Sequence, residues 1–83
     1  MKITVRYFAS LREALGASEA LDLPGPCSVA TLRELLHNSS PRHADVLAPG
    51  RLVRCALNQV MQDDSALVSD GAEVAFFPPV TGG

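Results

Sequence analysis

Apolar and polar residues alternate in four stretches of the chain, and a period of two predicts β-strands. The stretches are residues 2–8, 18–23, 52–57 and 73–77. In the first, Ile3, Val5 and Tyr7 fall on one face, and Lys2, Thr4 and Arg6 fall on the other. In the last, Phe76 is in phase with Val74, so Phe76 is expected in the core and Phe77 on the opposite face.

A period near 3.6 residues replaces the alternation between residues 28 and 37. The apolar stripe there consists of Val29, Leu32, Leu35 and Leu36. Ser28 precedes the stripe and is a good N-cap, so residues 29–37 are predicted to form the main helix. A shorter helix is predicted after the first strand, because Ser10-Leu11-Arg12-Glu13 fits a capping box and Gly16 can end the helix.

Turn signals separate these elements. Pro24-Gly25-Pro26 breaks the chain, Asn58-Gln59 suits a turn before a short extended piece at 60–61, and Asp70-Gly71 precedes the last strand. Leu67 is interpreted as an isolated apolar anchor, and residues 41–50 as a loop with room for one helical turn. The element order predicts one α+β domain over residues 1–83, with helices on one face of a four- or five-stranded sheet.

Composition and charge exclude several function classes. The 83 residues carry a formal net charge of −2, and the seven basic residues are scattered, whereas nucleic-acid binding needs a concentrated basic face. No apolar run approaches the ~20 residues of a membrane span, and the alternating N-terminus does not fit a signal peptide. We therefore predict a cytoplasmic protein that binds neither nucleic acid nor membrane.

The cysteines and histidines do not suggest a reactive or metal site. Cys27 and Cys55 form no CxxC motif, and Cys55 alternates in phase with core positions, so both are interpreted as small apolar residues without a disulfide. His37 and His43 have no metal-ligand spacing and are expected at the surface.

The end of the sequence, FFPPVTGG, has a distinctive chemistry. Pro78 and Pro79 stop strand pairing and hold the chain extended, so residues 78–83 are predicted to form an arm that reaches at most about 20 Å. Gly82 and Gly83 can enter a narrow channel. We expect Gly83 to be the chain terminus, whose carboxylate can be adenylated and converted to a thiocarboxylate. A frayed end is the alternative interpretation.

Outward residues next to the arm are candidate partner contacts. Phe77 is expected to face solvent beside the arm, where an aromatic side chain favours an interface. Arg6 and Arg54 are expected on the same outer face, either as polar partner contacts or as ordinary solvated residues.

The chain resembles the small, sulfur-carrier subunits of molybdopterin synthase. The resemblance rests on residues 70–83, on Phe8-Ala9-Ser10-Leu11-Arg12-Glu13 after the first strand, and on Ala56-Leu57-Asn58-Gln59. It implies a ubiquitin-like β-grasp fold: a mixed sheet covered by one main helix and short helices. The specific part is FFPPVTGG, with Phe77, Pro78, Pro79, Val80, Thr81, Gly82 and Arg6 as partner-binding residues and Gly83 as the reacting residue.

The resemblance also implies a cycle. An adenylyltransferase similar to ubiquitin-activating enzymes would use ATP to adenylate Gly83, and a sulfur donor such as a cysteine desulfurase would supply the sulfur of the thiocarboxylate. The carrier would then dock on the large catalytic subunit in a heterotetramer of two small and two large subunits. Its sulfur would go to cyclic pyranopterin monophosphate, building the molybdopterin dithiolene. The carrier itself is expected to contribute no catalytic side chain and to bind no metal or cofactor.

Three alternatives remain open from the sequence. A related carrier could serve thiamin synthesis, tRNA thiolation or conjugation to lysines, because a terminal Gly-Gly is common to all of them. The chain could also be a plain ubiquitin-like binding module. An enzyme with Cys27 or Cys55 as nucleophile is the third, although the sequence offers no Cys/His/acid arrangement to support it.

Overall fold

The computed structural model of the chain describes residues 1–48 and 50–79. Within these residues the elements are β1 (Lys2–Tyr7), α1 (Ser10–Leu15), β2 (Ser18–Asp22), β3 (Cys27–Ser28), α2 (Val29–His37), α3 (Pro41–Leu47), β4 (Arg54–Leu57), β5 (Val60–Gln62), β6 (Leu67–Val68) and β7 (Glu73–Phe77).

The main sheet has five strands in the order β2-β1-β7-β4-β5. β1 and β7 run parallel at its centre, and every other neighbouring pair is antiparallel. The predicted mixed sheet is therefore confirmed. β3 and β6 form a second sheet of two strands, which the sequence did not predict because each has only two residues.

The helices cover one face of the main sheet, and the core lies between them. Val5, Val74 and Phe76 point into it from the central strands and are at most 1% exposed. α2 contributes Leu32 and Leu36 to the same cluster. Burial of each such side chain stabilises the fold by roughly 1.5–3 kcal/mol. Alternation in β1 and β7 thus produces one buried face, as predicted.

α2 begins as predicted but buries a narrower stripe. The Ser28 side chain accepts a hydrogen bond from the Thr31 amide at 3.1 Å and caps the helix. Leu35, which the apolar spacing placed in the stripe, is 48% exposed. The buried residues of α2 are Val29, Leu32 and Leu36, so its buried stripe has three positions and not four.

α3 corrects the prediction of a loop after residue 40. Its N-terminus is capped by Ser40, which accepts from the His43 amide at 3.1 Å, and Pro41 occupies the first turn. Leu47 at its end is only 1% exposed. The serine-proline pair is a helix-start signal. The helix is too short, however, for its apolar residues to show a clear period. Pro49, which falls within the predicted loop of residues 41–50, lies outside the described residues.

The prediction that His43 lies at the surface is wrong. Its side chain is 15% exposed, and its Nε2 lies 2.8 Å from the Glu19 Oε2. Tyr7 donates a hydrogen bond to the same carboxylate oxygen at 2.8 Å. Burial, together with this bond and the nearby charge of Glu19, raises the pKa of the Tyr7 phenol. His43 thus ties α3 to β1 and β2.

Two local expectations were wrong. α1 has no capping box: its N-cap is Ala9, and no side chain caps it. Leu67 is 64% exposed, whereas its neighbour Val68 is fully buried and is the apolar anchor. In both places the residue that takes the predicted role lies one position from the predicted residue. Errors of this size are usual for boundaries read from short patterns.

Candidate functional site

The sheet face away from the helices, here called the outer face, is not covered by any other part of the described chain. Arg6, Ala75 and Ala56 lie side by side across β1, β7 and β4. Phe77 follows two residues after Ala75 and pairs with Arg54. The outward orientation predicted for Arg6, Arg54 and Phe77 is therefore confirmed.

A groove of about 590 Å³ runs over this face at the end of β7, and we call it the outer groove. Ala56 and Ala75 are adjacent in the sheet and line its floor, where their small side chains leave space. Aromatic and proline side chains border it, namely Phe8, Phe77, Pro78 and Pro79, and Arg6 and Glu73 add charge. The lining is thus mainly apolar, with one basic and one acidic residue.

Arg6 is held loosely at the side of the outer groove. Its Nη1 lies 3.9 Å from the Glu73 Oε1, near the limit for an ion pair, and its side chain is 48% exposed. The guanidinium carbon lies 5.5 Å from the centre of the Phe8 ring, within cation–π range. Exposed pairs of this kind contribute about 0–1 kcal/mol. Arg6 can therefore exchange Glu73 for another anion at little cost.

Ala9, which also lines the outer groove, has strained backbone angles. Its φ of 54° and ψ of −130° lie in a region that residues with a Cβ rarely adopt. This conformation turns the chain from β1 into α1 and leaves Phe8 39% exposed on the outer side. Strain of this kind tends to occur at functional positions.

The chain leaves the sheet beside the outer groove. The Phe8 amide donates to the Phe76 carbonyl at 3.1 Å, beyond the last paired residues of β1 and β7. β7 ends at Phe77, and the next two residues are prolines, which have no N–H for further pairing. Pro78 and Pro79 are half-buried and line the groove, so the last described residues of the chain lie at its rim.

The structure brings four of the predicted site residues together: Arg6, Phe77, Pro78 and Pro79 all line the outer groove. The other four, Val80, Thr81, Gly82 and Gly83, lie outside the described residues. Sequence reasoning missed Phe8, Ala56 and Glu73. The signal for Phe8 was present, because it shares the outward phase of Arg6 in the first alternating stretch. Ala56 could not be found, because small residues on a sheet face carry no distinctive pattern.

Among the residues that the structure describes, no thiol or imidazole lines the outer groove. Cys55 is 4% exposed and points to the opposite face, and burial, with a smaller effect of the Asp64 charge, raises its pKa to about 11. A protonated, buried thiol is a poor nucleophile. The cysteine-enzyme alternative is therefore weakened.

A Ser/His/Glu arrangement occurs on the helical side, but its atoms are occupied by structural contacts. The Ser40 Oγ lies 2.6 Å from the His43 Nδ1 and also caps α3, while the His43 Nε2 faces Glu19. In the part of the chain that the structure describes, no cluster of His, Cys, Asp and Glu is suited to a metal ion. No helix there is long and apolar enough to cross a membrane.

Comparison with known proteins extends these observations. Residues 5–83 match the model of the ThiS family. A molybdopterin synthase sulfur carrier subunit of Escherichia coli is 44% identical over an alignment of 84 positions. The alignment covers 98% of this chain and 99% of the relative.

Solved structures share the fold. A putative molybdopterin converting factor subunit 1 from Pyrococcus furiosus superposes with a TM-score of 0.79 at 28% identity, covering 96% of this chain and 99% of its own. A chain in a complex of subunits 1 and 2 of the molybdopterin-converting factor from Helicobacter pylori superposes with a TM-score of 0.70 at 24% identity, with full coverage of both chains. These neighbours confirm the expected ubiquitin-like β-grasp fold.

Proposed function

The chain belongs to the ThiS family, and from this premise we propose that it is the sulfur-carrier subunit of a molybdopterin synthase. The observation that carries the proposal is the geometry at the end of β7. An uncovered, mainly apolar groove meets a proline-rooted segment whose sequence ends in Gly82 and Gly83. A docking surface and a slim reactive end are thereby joined in one short stretch of chain.

In this proposal the reacting group is the main-chain carboxylate of Gly83. In an activating enzyme the carboxylate attacks the α-phosphorus of ATP to give an acyl-adenylate and pyrophosphate. A sulfide-level sulfur nucleophile from a donor then displaces AMP and leaves a thiocarboxylate. Gly82 and Gly83 have no side chains, so the terminus can enter a narrow partner site. Holding the sulfur next to its acceptor replaces a bimolecular encounter with a positioned one.

The outer face supplies the docking surface for the large catalytic subunit. Phe8, which is 39% exposed, and the half-buried Phe77 both line the outer groove next to the arm, and Met61 on β5 is 55% exposed. Aromatic side chains that become buried often dominate interface energetics. The large subunit would contribute the catalytic side chains and the site for cyclic pyranopterin monophosphate. The proposed assembly contains two small and two large subunits.

We also propose a cytoplasmic location. Cys27 and Cys55 are both free thiols, and unpaired cysteines are typical of a reducing compartment.

A reconstituted transfer reaction tests the proposed function. The thiocarboxylated chain, the large subunit and cyclic pyranopterin monophosphate should together yield the dithiolene product. A chain that lacks Gly83 should dock but transfer no sulfur, because its carboxylate stops one residue short of the acceptor. Transfer by the shortened chain at the full rate would contradict the proposal. Delivery to a thiazole precursor or to tRNA, but not to the pterin, would favour the alternative carriers.

A further inference from the structure

Arg6 and Glu73, which both line the outer groove, lie diagonally on the outer face. Arg6 pairs with Ala75 across β1 and β7, and Glu73 precedes Ala75 by two residues on the same face of β7. The two charged side chains are 48% and 38% exposed, and their contact at 3.9 Å is near the limit for an ion pair. Exposed contacts of this kind are weak, so each charge can exchange its neighbour for a group on another molecule.

Small uncharged side chains occupy the middle of the outer groove. Ala75 pairs with Ala56 on β4, and Ala56 pairs with Met61 on β5, so these residues extend one row across the sheet. In a dimer with two-fold symmetry, residues on the axis meet their own copies. A charged residue there would be repelled by its copy, and a large one would hold the sheets apart. Alanine does neither, so this row is suited to contact with itself.

One two-fold axis suits both features. When Arg6 of one copy faces Glu73 of the second copy, the symmetry forms the reverse contact as well. Strands lie about 4.8 Å apart and rise about 3.4 Å per residue, so the axis that bisects the diagonal from Arg6 to Glu73 passes within about 2 Å of Ala75 and Ala56 in an ideal sheet. The charge pattern and the alanine row therefore point to the same symmetric contact.

We propose that the free chain forms a two-fold symmetric dimer through the outer face, in which Arg6 of each copy pairs with Glu73 of the other. The axis also brings the half-buried Phe77 of one copy near Met61 of the second copy, a side chain that is 55% exposed. Contacts between a thioether and an aromatic ring are favourable. The dimer thus combines two ion pairs with a central apolar contact.

Self-association of the outer face regulates docking. The inference rests on the proposed function in taking this face as the docking surface for the large subunit. A chain in the dimer has Arg6 and Phe77 covered, so it must dissociate before it docks. One face of an 83-residue chain is small for a permanent dimer, so we expect a reversible association with a dissociation constant in the micromolar range.

Sedimentation equilibrium of the full chain between about 1 µM and 1 mM tests the proposal. Wild type should change from monomer to dimer across this range. Arg6→Glu and Glu73→Arg should each weaken self-association by at least about tenfold, because like charges then face each other. Arg42→Glu is the matched control, because it makes the same charge change on an exposed residue of α3, on the helical side. It should dimerise like wild type.

A mixture of the two variants tests the contact most sharply. Arg6→Glu presents two acidic residues and Glu73→Arg presents two basic residues, so each charge in the mixed pair faces its opposite. Equimolar Arg6→Glu and Glu73→Arg should therefore form a heterodimer about as readily as wild type forms its dimer. Mixing Glu73→Arg with Arg42→Glu, which has the same net charge as Arg6→Glu, should yield no heterodimer of that affinity.

Nuclear magnetic resonance of wild type adds a test that needs no variant. The Met61 methyl signal should shift as the concentration rises, whereas the Leu35 methyl signals on the helical side should stay in place. A wild type that is monomeric at the highest concentration would overturn the proposal. So would a dimer that Arg6→Glu does not weaken, two variants that do not combine, or concentration-dependent shifts at Leu35 instead of Met61.

Sulfur transfer by the same samples is measured separately. Dimerisation without transfer to the pterin in the reconstituted reaction would sink the proposed function and leave the dimer standing. Transfer by a chain that stays monomeric when free would do the reverse.

Discussion

Ala9 and Gly71 both have a positive φ, a conformation that glycine adopts easily and alanine does not. Ala9 holds φ 54° and ψ −130°, and Gly71 holds φ 81° in the turn before β7. A Cβ at Gly71 would meet open space, so its substitution tests the backbone angle alone. We predict that Ala9→Gly raises the free energy of unfolding by about 1 kcal/mol and that Gly71→Ala lowers it by about 1 kcal/mol. Urea denaturation measures both. A loss of stability in Ala9→Gly would contradict the assignment of strain.

Phe77 joins the sheet to the arm and is half-buried, so it can be shortened without emptying the core. We predict that Phe77→Ala weakens binding to the large synthase subunit about tenfold, a typical loss for an aromatic contact. The melting temperature should change little. Leu35→Ala is the control, because Leu35 is also a large apolar residue outside the buried core but lies on the helical side. Titration calorimetry compares the two. An equal effect of both variants would mean that docking does not use the outer face.

Cys55 should make the fold sensitive to alkali. Its pKa is raised by burial from an ordinary 9.0 to about 11, so the folded state favours the neutral thiol. This stabilisation is fully present below pH 9, where the thiol is neutral in both states, and is lost as pH rises towards 11. We predict that wild type loses about 1 kcal/mol more than Cys55→Val between pH 9 and 10.

Tyr7 ionises in both proteins, so its contribution to the pH dependence cancels in the comparison with Cys55→Val. Chemical denaturation at several pH values gives the difference. Parallel pH profiles for the two proteins would show that Cys55 ionises as freely in the folded state as in the unfolded state.

At the scale of elements, the contacts of α3 with the rest of the fold include the buried Leu47 and the His43–Glu19 contact at 2.8 Å. Removing His43 leaves the Glu19 carboxylate without one partner, and partly buried polar groups left without a partner cost stability. We predict that His43→Ala lowers the free energy of unfolding by about 1–2 kcal/mol.

His37→Ala is the matched control for this prediction. The only side chain that the structure shows bonded to His37 is the neighbouring Asn38, at 3.3 Å, so its removal should cost much less. A double-mutant cycle with Glu19→Gln then measures the coupling. Zero coupling between His43 and Glu19 would mean that the contact contributes nothing to holding α3.

Elements of the main sheet were predictable where one buried face alternates with one open face, as in β1 and β7. α2 was predictable because the capping residue Ser28 and the apolar stripe indicate the same helix start. α3 was not, because seven residues give less than two turns and only Leu47 is fully buried. The pairing of Ala56 with Ala75, which forms the groove floor, depends on strand order and register. β5 and β6 lie between β4 and β7 in the chain, so no hairpin turn fixes the pairing of β4 with β7.

At the scale of the whole molecule, the two faces of the main sheet have different surroundings. Within the described residues, three helices cover one face of the sheet and complete the core, while no element covers the outer face. The parallel pairing of β1 with β7 places Phe8 next to the end of the last strand. Residues far apart in sequence therefore form the groove at the root of the arm. Arg6 and Phe77 were predictable as outward residues, but their meeting with Phe8 required the topology.

The central claim is that the carboxylate of Gly83 carries sulfur. The most direct test is the intact mass of the chain after incubation with the activating enzyme, ATP and a sulfur donor. We predict an increase of about 16 Da, the replacement of one oxygen by sulfur in a covalent intermediate, localised to the terminal residue by fragmentation. A chain extended by one residue beyond Gly83 should keep its original mass. An unchanged mass of the native chain, or a sulfur found on Cys27 or Cys55 instead, would contradict the account.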